Sequence, residues 1–334
     1  MTTVDAVSGA VAPRIPWRAR FTRLQSRYPI LQLLVLAIVV AVGASLLPGL
    51  LEPASIRTML VLAALCGLAS IGQTLLILMG GFDLSISGFM VASALAATSL
   101  KHVGFVTGLV GAVVACGLLG ALAGQICHRY DVQPLIVTFA TGTIAAGTIQ
   151  VLNGGLIVGG SPAWITRLSS PIATTFGLPI APVVAMWFVA TVLLALFTHR
   201  TRAGRRLLVT GAGLAAAELS LVRTRRVWTI AFAASGVLSA LAGILVGGFA
   251  GSITSTVADP YVFQSVVAVV VGGTVFGGPG GFTRTFIGTL ILTVTTTVFV
   301  GKGAPLAGQY VLNGLVLAVA LTAYGRQRRI RDRI

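Results

Sequence analysis

Charge is scarce in this 334-residue chain: Asp, Glu, Lys and Arg together make up 9% of it, against about a quarter in soluble globular domains. With 56% hydrophobic residues and a mean hydropathy of +0.99, that shortage excludes a water-soluble protein and places the chain in a bilayer. Cysteine and histidine are scarce too. Cys66, Cys116 and Cys127 have neither paired-thiol nor metal-ligand spacing, and His102, His128 and His199 stand alone. No metal site, catalytic dyad or cofactor site is readable from them; the cysteines read as packing residues. A phosphate-binding loop is also missing, because it ends in Gly-Lys-Ser or Gly-Lys-Thr, and the one Gly-Lys pair here, Gly301-Lys302, is followed by Gly303. The chain is therefore not its own ATPase.

What is present is apolar sequence in long runs. Pro, Gly or charge divides it into ten candidate helices at 29–47, 58–79, 85–100, 105–126, 134–152, 182–199, 227–250, 263–277, 285–300 and 309–324. Ten spans of about 20 residues use about 200 positions, which leaves no room for a separate soluble domain. The expected fold is an all-α polytopic membrane protein of about ten transmembrane helices. Its organisation is an Arg-rich segment at 1–28, one transmembrane domain at 29–324 with a loop at about 200–226, and a basic tail at 325–334. The head resembles a transit peptide in composition, but a 28-residue head is long for a signal peptide and the run after it is long enough to span.

The net charge of +16 would suggest nucleic acid in a soluble chain. Here the basic residues gather beside apolar runs, which is an orientation signal. Arg14, Arg18, Arg20, Arg23 and Arg27 precede the first run; Arg200, Arg202, Arg205, Arg206, Arg223, Arg225 and Arg226 follow the sixth; Arg326, Arg328, Arg329, Arg331 and Arg333 end the chain. Ten crossings put all three groups, and both termini, on the cytoplasmic side. Trp187, Trp228, Tyr261, Tyr310 and Tyr324 fall near predicted span ends, where interfacial aromatics are favoured.

Two glycine-rich breaks interrupt the apolar pattern. The first, at 80–88, contains Gly80, Gly81, Asp83 and Ser85. It reads either as backbone unwound at membrane depth, with a carboxylate that needs a partner or a wet pathway, or as a cytoplasmic turn with Asp83 solvated and capping the next helix. The second contains Gly272, Gly273, Thr274, Gly277 and Gly278, and a tight inter-helix turn is its plainer reading. In the loop at 204–222, Leu214, Ala217 and Leu221 recur at helical spacing. They predict a short helix with one apolar face outside the membrane, lying on a protein partner or on the lipid surface.

Together these features resemble the membrane-spanning permease subunits of bacterial ABC importers for ribose, xylose, arabinose and related monosaccharides. Gly80-Gly81-Phe82-Asp83-Leu84-Ser85, Pro134-Leu135-Ile136-Val137-Thr138, the stretch 271–278 and the loop 204–222 resemble that family's segments in the same order. Gly213, Leu214 and Ala215 stand where its coupling segment usually has Asn-Pro-Glu, and Pro279 where Arg or Glu is usual.

The resemblance implies a homo- or heterodimer of permeases in the bacterial inner membrane, with a central pathway. Two cytoplasmic ATPases would dock on the coupling segments, and a periplasmic or lipid-anchored binding protein would deliver sugar. Gly80, Gly81, Asp83, Ser85, Gly272, Gly273, Thr274, Gly277 and Gly278 would then line the pathway or its gate. Gly204, Arg205, Gly211, Ala216, Ala217, Glu218 and Leu221 would contact the ATPase. Membrane lipid is the other partner; nucleic acid is not one. An ion-coupled secondary transporter would instead need several intramembrane ionisable residues, and Asp83 is nearly alone; a channel would need a symmetric filter. Related ABC permeases carry nucleosides or branched-chain amino acids.

Overall fold

The computed structural model describes residues 29–99, 104–154, 161–251, 254 and 256–331; the predicted head at 1–28 lies outside them. The described residues are helical apart from loops and one isolated bridge between Thr175 and Leu178. In chain order the helices are α1 (Ile30–Leu46), α2 (Pro53–Leu78), α3 (Ile86–Ser99), α4 (Phe105–Tyr130), α5 (Pro134–Leu152), α6 (Ala163–Ser169) and α7 (Pro182–Arg200). They continue with α8 (Arg202–Ala212), α9 (Leu214–Leu219), α10 (Thr224–Ala250), α11 (Asp259–Val271), α12 (Phe282–Gly301) and α13 (Leu306–Arg331).

Among the described residues six helices, α2, α4, α5, α7, α10 and α12, are long and apolar enough to cross a bilayer. Four apolar stretches are shorter, Ile30–Leu46, Ile86–Ala97, Asp259–Val271 and Ala307–Val319. The expected count of about ten therefore stands at six by length and composition. Proline opens α2, α5 and α7, where its missing N–H loses no helical bond and its φ is already helical. The segment expected at 263–277 is displaced: α11 starts at Asp259 and stops at Val271, because Gly272 and Gly273 end it.

α10 is the central helix, packed on α4, α3 and α2. Its residues Ser235, Ser239 and Gly243 recur every fourth position and are buried, so neighbouring backbones approach closely, the usual packing solution where lipid supplies no hydrophobic drive between helices. α3 meets α5 in the same way: a Cβ at Gly142 would lie 2.7 Å from Ser85 Cα, and one at Gly88 would overlap the Gly142 backbone.

Trp187, expected at an interface, is instead 1% exposed. It stacks on Phe286 at 4.0 Å and fills the space that Gly67 leaves on α2. Position near a span end did not reveal that a glycine opposite would admit the ring.

At one end of the bundle α8 and α9 lie against the C-terminal ends of α2 and α7 and the start of α10. At the other, α6 packs on α10, with Ile165 against Gly248 and Trp164 edge-on to Phe105 at 5.5 Å. The loop expected to form one short helix forms two. α9 stops at Leu219, and Leu221, expected on its apolar face, lies beyond the helix at φ 56°. Its 92% exposure corrects that assignment, while Ala217 on the same predicted face is fully buried.

Candidate functional site

Both glycine breaks begin with the same helix-ending device. At the end of α2, Gly80 has φ 80°, its N–H donates to the Ile77 carbonyl at 3.0 Å, and the Gly81 N–H donates to Leu76 at 2.8 Å. At the end of α11, Gly273 has φ 83°, its N–H donates to Val270 at 2.8 Å, and the Thr274 N–H donates to Val269 at 3.2 Å. These paired bonds satisfy the last carbonyls of a helix around a left-handed residue, a conformation glycine takes without steric cost.

The two breaks then meet. The Gly277 N–H donates to the Ile77 carbonyl at 2.8 Å, and the Phe82 and Phe276 rings stack with centroids 6.0 Å apart and planes 7° off parallel. The Thr74 and Thr285 hydroxyls, 2.8 Å apart, tie α2 to α12 nearby. Thr274 is buried and its hydroxyl accepts the Gly281 N–H at 3.3 Å. Gly272 is pressed on the Arg284 backbone, and the Gly278 N–H closes a turn onto Val275 at 3.0 Å.

Asp83 is 1% exposed, so the solvated-turn reading fails, although its capping element holds. One carboxylate oxygen accepts the Ser85 N–H at 2.8 Å together with the Ser85 hydroxyl. The other accepts the Ser235 hydroxyl at 2.6 Å. All three donors are neutral, and no basic side chain is among them. Ser235 lies eleven residues into α10, about 16 Å along it at 1.5 Å per residue. The carboxylate thus sits near the midpoint of a helix long enough to cross a bilayer, and it joins the unwound segment to the central helix. The Leu84 N–H donates to the Thr138 hydroxyl on α5 at 2.9 Å, so the segment is held from two sides.

The third motif arrives at the same place. A Cβ at Gly211 on α8 would overlap the Leu78 carbonyl oxygen, and it would lie 3.0 Å from Met79 Cα. α8 therefore rests on the final residues of α2, directly before Gly80. Gly204 begins this seating against the end of α7, its N–H capped by the Thr201 hydroxyl at 3.0 Å. The Glu218 carboxylate accepts the Thr224 hydroxyl at 3.4 Å, and His128 Nε2 lies 2.9 Å from that hydroxyl, which clasps α9 to the ends of α4 and α10. Arg205 and Ala216 are exposed.

Sequence reasoning missed Ser235 and Thr138 as partners of the first break. Small residues every fourth position along α10 were the available signal for Ser235. It also missed a cleft of about 330 Å³ between α3 and α5, lined among others by Leu84, Ser87, Phe139, Thr143, Gln150 and Asp259. This volume is at the lower end for small-ligand cavities. The three cysteines are free and buried, and among the described residues no group of His, Cys, Asp or Glu is placed to hold a metal.

Residues 55–321 match the family described as "Branched-chain amino acid transport system / permease component". The chain is 31% identical over 302 residues to the ribose import permease protein of Bacillus subtilis (strain 168), covering 89% of this chain and 92% of that one. It is 27% identical to the fructose import permease protein of Bifidobacterium longum (strain NCC 2705), over 75% of this chain and 76% of that one. It is 31% identical to an autoinducer 2 import system permease protein of Yersinia pseudotuberculosis (serotype O:3, strain YPIII), over 68% and 69%. No solved structure gives a significant match. A helical bundle with several apolar spans, and a match over most of its length, show that the chain belongs to this family of transport-system permease components.

Proposed function

We propose that this permease is the membrane pathway of an ATP-driven importer for a monosaccharide. The convergence of α8 and both glycine breaks on the last turn of α2 carries that reading. A push on the cytoplasmic segment has a short, stiff route to Gly80, to the Phe82–Phe276 stack and to the Asp83–Ser235 bond. Hydrolysis elsewhere would then shift the balance between inward- and outward-facing arrangements through differential contacts at that segment. In this reading the four shorter apolar helices complete ten crossings, with both termini and α8–α9 cytoplasmic. Two permeases pair to close a central pathway, two ATPases dock on α8–α9, and an external binding protein delivers the sugar. The cleft bearing Ser87, Thr143, Gln150 and Asp259 offers hydroxyl, amide and carboxylate groups to a polyhydroxylated substrate. The sugar class follows from the relatives named for ribose and fructose, which outweigh the amino-acid wording of the broader family.

The test is reconstitution. The purified chain alone is expected neither to hydrolyse ATP nor to accumulate radiolabelled ribose or fructose, and adding its ATPase and binding protein should restore ATP-driven uptake. Uptake by the lone chain under a proton or sodium gradient would establish a secondary transporter instead. Orientation is tested separately, with single cysteines at Ser161 and Ser220 in a Cys-free background and an impermeant maleimide added outside intact cells. Labelling is expected at Ser161 only; labelling at Ser220 alone would invert the topology.

A further inference from the structure

Between α2, α7, α8 and α10 lies a cleft of about 650 Å³, bordered by Leu221 at the edge of the proposed ATPase-docking segment and apart from the proposed sugar pathway. Its wall is apolar, built from Leu75, Leu194 and Phe197 among others, and its lining also includes Arg206, Arg223 and Arg226. Among the described residues no acidic side chain lines it. Among the described residues no hydrogen bond or ion pair holds any of these three guanidiniums. Three unpaired cations beside an apolar wall are complementary to one kind of molecule, an anion with a hydrocarbon tail. The setting fits that molecule. Ile230, part of the lining, is 66% exposed, and Leu193 and Leu196, next in sequence to the lining residues Leu194 and Phe197 of α7, are exposed as well. α7 and α10 are both long and apolar enough to span, so this side of the cleft opens onto lipid while the arginines sit where those helices end.

We infer that the cleft seats an anionic phospholipid, its phosphate held by Arg206, Arg223 and Arg226 and an acyl chain lying along Phe197 and Ile230. Basic pockets between membrane helices on the cytoplasmic side take such headgroups, and each basic residue near the surface is worth about fivefold in affinity. The bound lipid would join α8 to α10 across the cleft, bracing the segment that rests on α2.

The test uses the purified full chain, delipidated in detergent and offered phosphatidylglycerol and phosphatidylcholine with identical acyl chains, with retained lipid counted by native mass spectrometry. The wild type is expected to retain phosphatidylglycerol selectively. Each of Arg206→Gln, Arg223→Gln and Arg226→Gln should lower that preference about fivefold, and the triple variant should abolish it. A control triple with the same loss of charge outside the cleft, Arg200→Gln with Arg202→Gln and Arg225→Gln, should behave as wild type. Ala234→Phe, which fills the cleft and leaves the arginines in place, should also lose the lipid, so the inference does not depend on one variant folding. Equal losses in both triples would reduce the effect to general surface attraction and overturn the site. Displacement of phosphatidylglycerol by glycerol phosphate at concentrations as low as those of a short-chain phosphatidylglycerol would make it a headgroup site without a lipid, which also overturns it.

Discussion

Asp83→Ala is expected to lower ATP-driven sugar uptake by tenfold to a hundredfold while leaving the ATPase bound. The magnitudes decide where this substitution acts. A carboxylate at mid-membrane costs about 2.5–3.5 kcal/mol on insertion scales, so removing it relieves part of the folding cost. Against that, three donors lose their acceptor. Two of them are serine hydroxyls, which rotate; Ser235, inside α10, has the carbonyl one turn back on its own helix as an alternative acceptor. The Ser85 N–H has no such freedom, and a stranded buried donor costs about 1–3 kcal/mol. The two effects nearly offset, so abundance in the membrane should change little. What is lost is the hydrogen-bonded tie between the unwound segment and α10, leaving only packing such as that of Gly81 near Phe232 to couple their movements. Asp83→Asn keeps an oxygen for the Ser85 N–H, and its amide can donate to Ser235, whose hydroxyl then accepts. If the tie is what matters, Asn should recover most of the uptake lost in Ala. An Asn variant as inactive as Ala would assign the role to the charge, and wild-type uptake in Ala would remove Asp83 from transport. Uptake into proteoliposomes, measured beside ATPase co-purification, separates these outcomes.

Much of this arrangement was legible in the sequence, for reasons that can be assigned to particular residues. Paired glycines inside apolar runs marked where both breaks lie, because glycine takes the left-handed cap without cost, and the structure places Gly80 and Gly273 at such caps; the end of α11 nevertheless falls at Val271, earlier than the expected 277. The arginine clusters and the alanine-rich stretch marked α8 and α9 as lying apart from the spans. Relations between distant segments were not legible. Nothing in Gly277 says that its N–H meets Ile77, because that bond depends on how α11 docks against α2. Trp187 was misplaced for the same reason, since its burial depends on Gly67 opposite it. Helical spacing grouped Ala217 with Leu221, yet the helix between them stops at Leu219, and the two residues face different surroundings.

That separation changes how the contact with the ATPase is best tested. Ala217 is fully buried, on the inner face of α9, which is held by the Glu218–Thr224 clasp and by the Val222 N–H donating to the Ala217 carbonyl at 3.0 Å. Ala217→Arg would force a long cation into filled space, so the expected result is a displaced segment and reduced abundance, whatever the residue touches in a complex. Leu219 is the better probe: it ends α9 and is 87% exposed. A large apolar side chain this exposed at the tip of a clasped helix is left uncovered by the described residues. If it fills a hydrophobic socket on the ATPase, Leu219→Arg strands a charge in a contact that must close, and losses of about 1.4–2.8 kcal/mol correspond to a tenfold to hundredfold loss of complex. The expected result is normal membrane abundance, ATPase co-purification reduced by that factor, and uptake reduced with it. Leu219→Met, which keeps an apolar side chain of similar volume, should retain both. Normal co-purification and uptake in Leu219→Arg would move the docking surface away from α9, toward exposed positions on α8 such as Arg205.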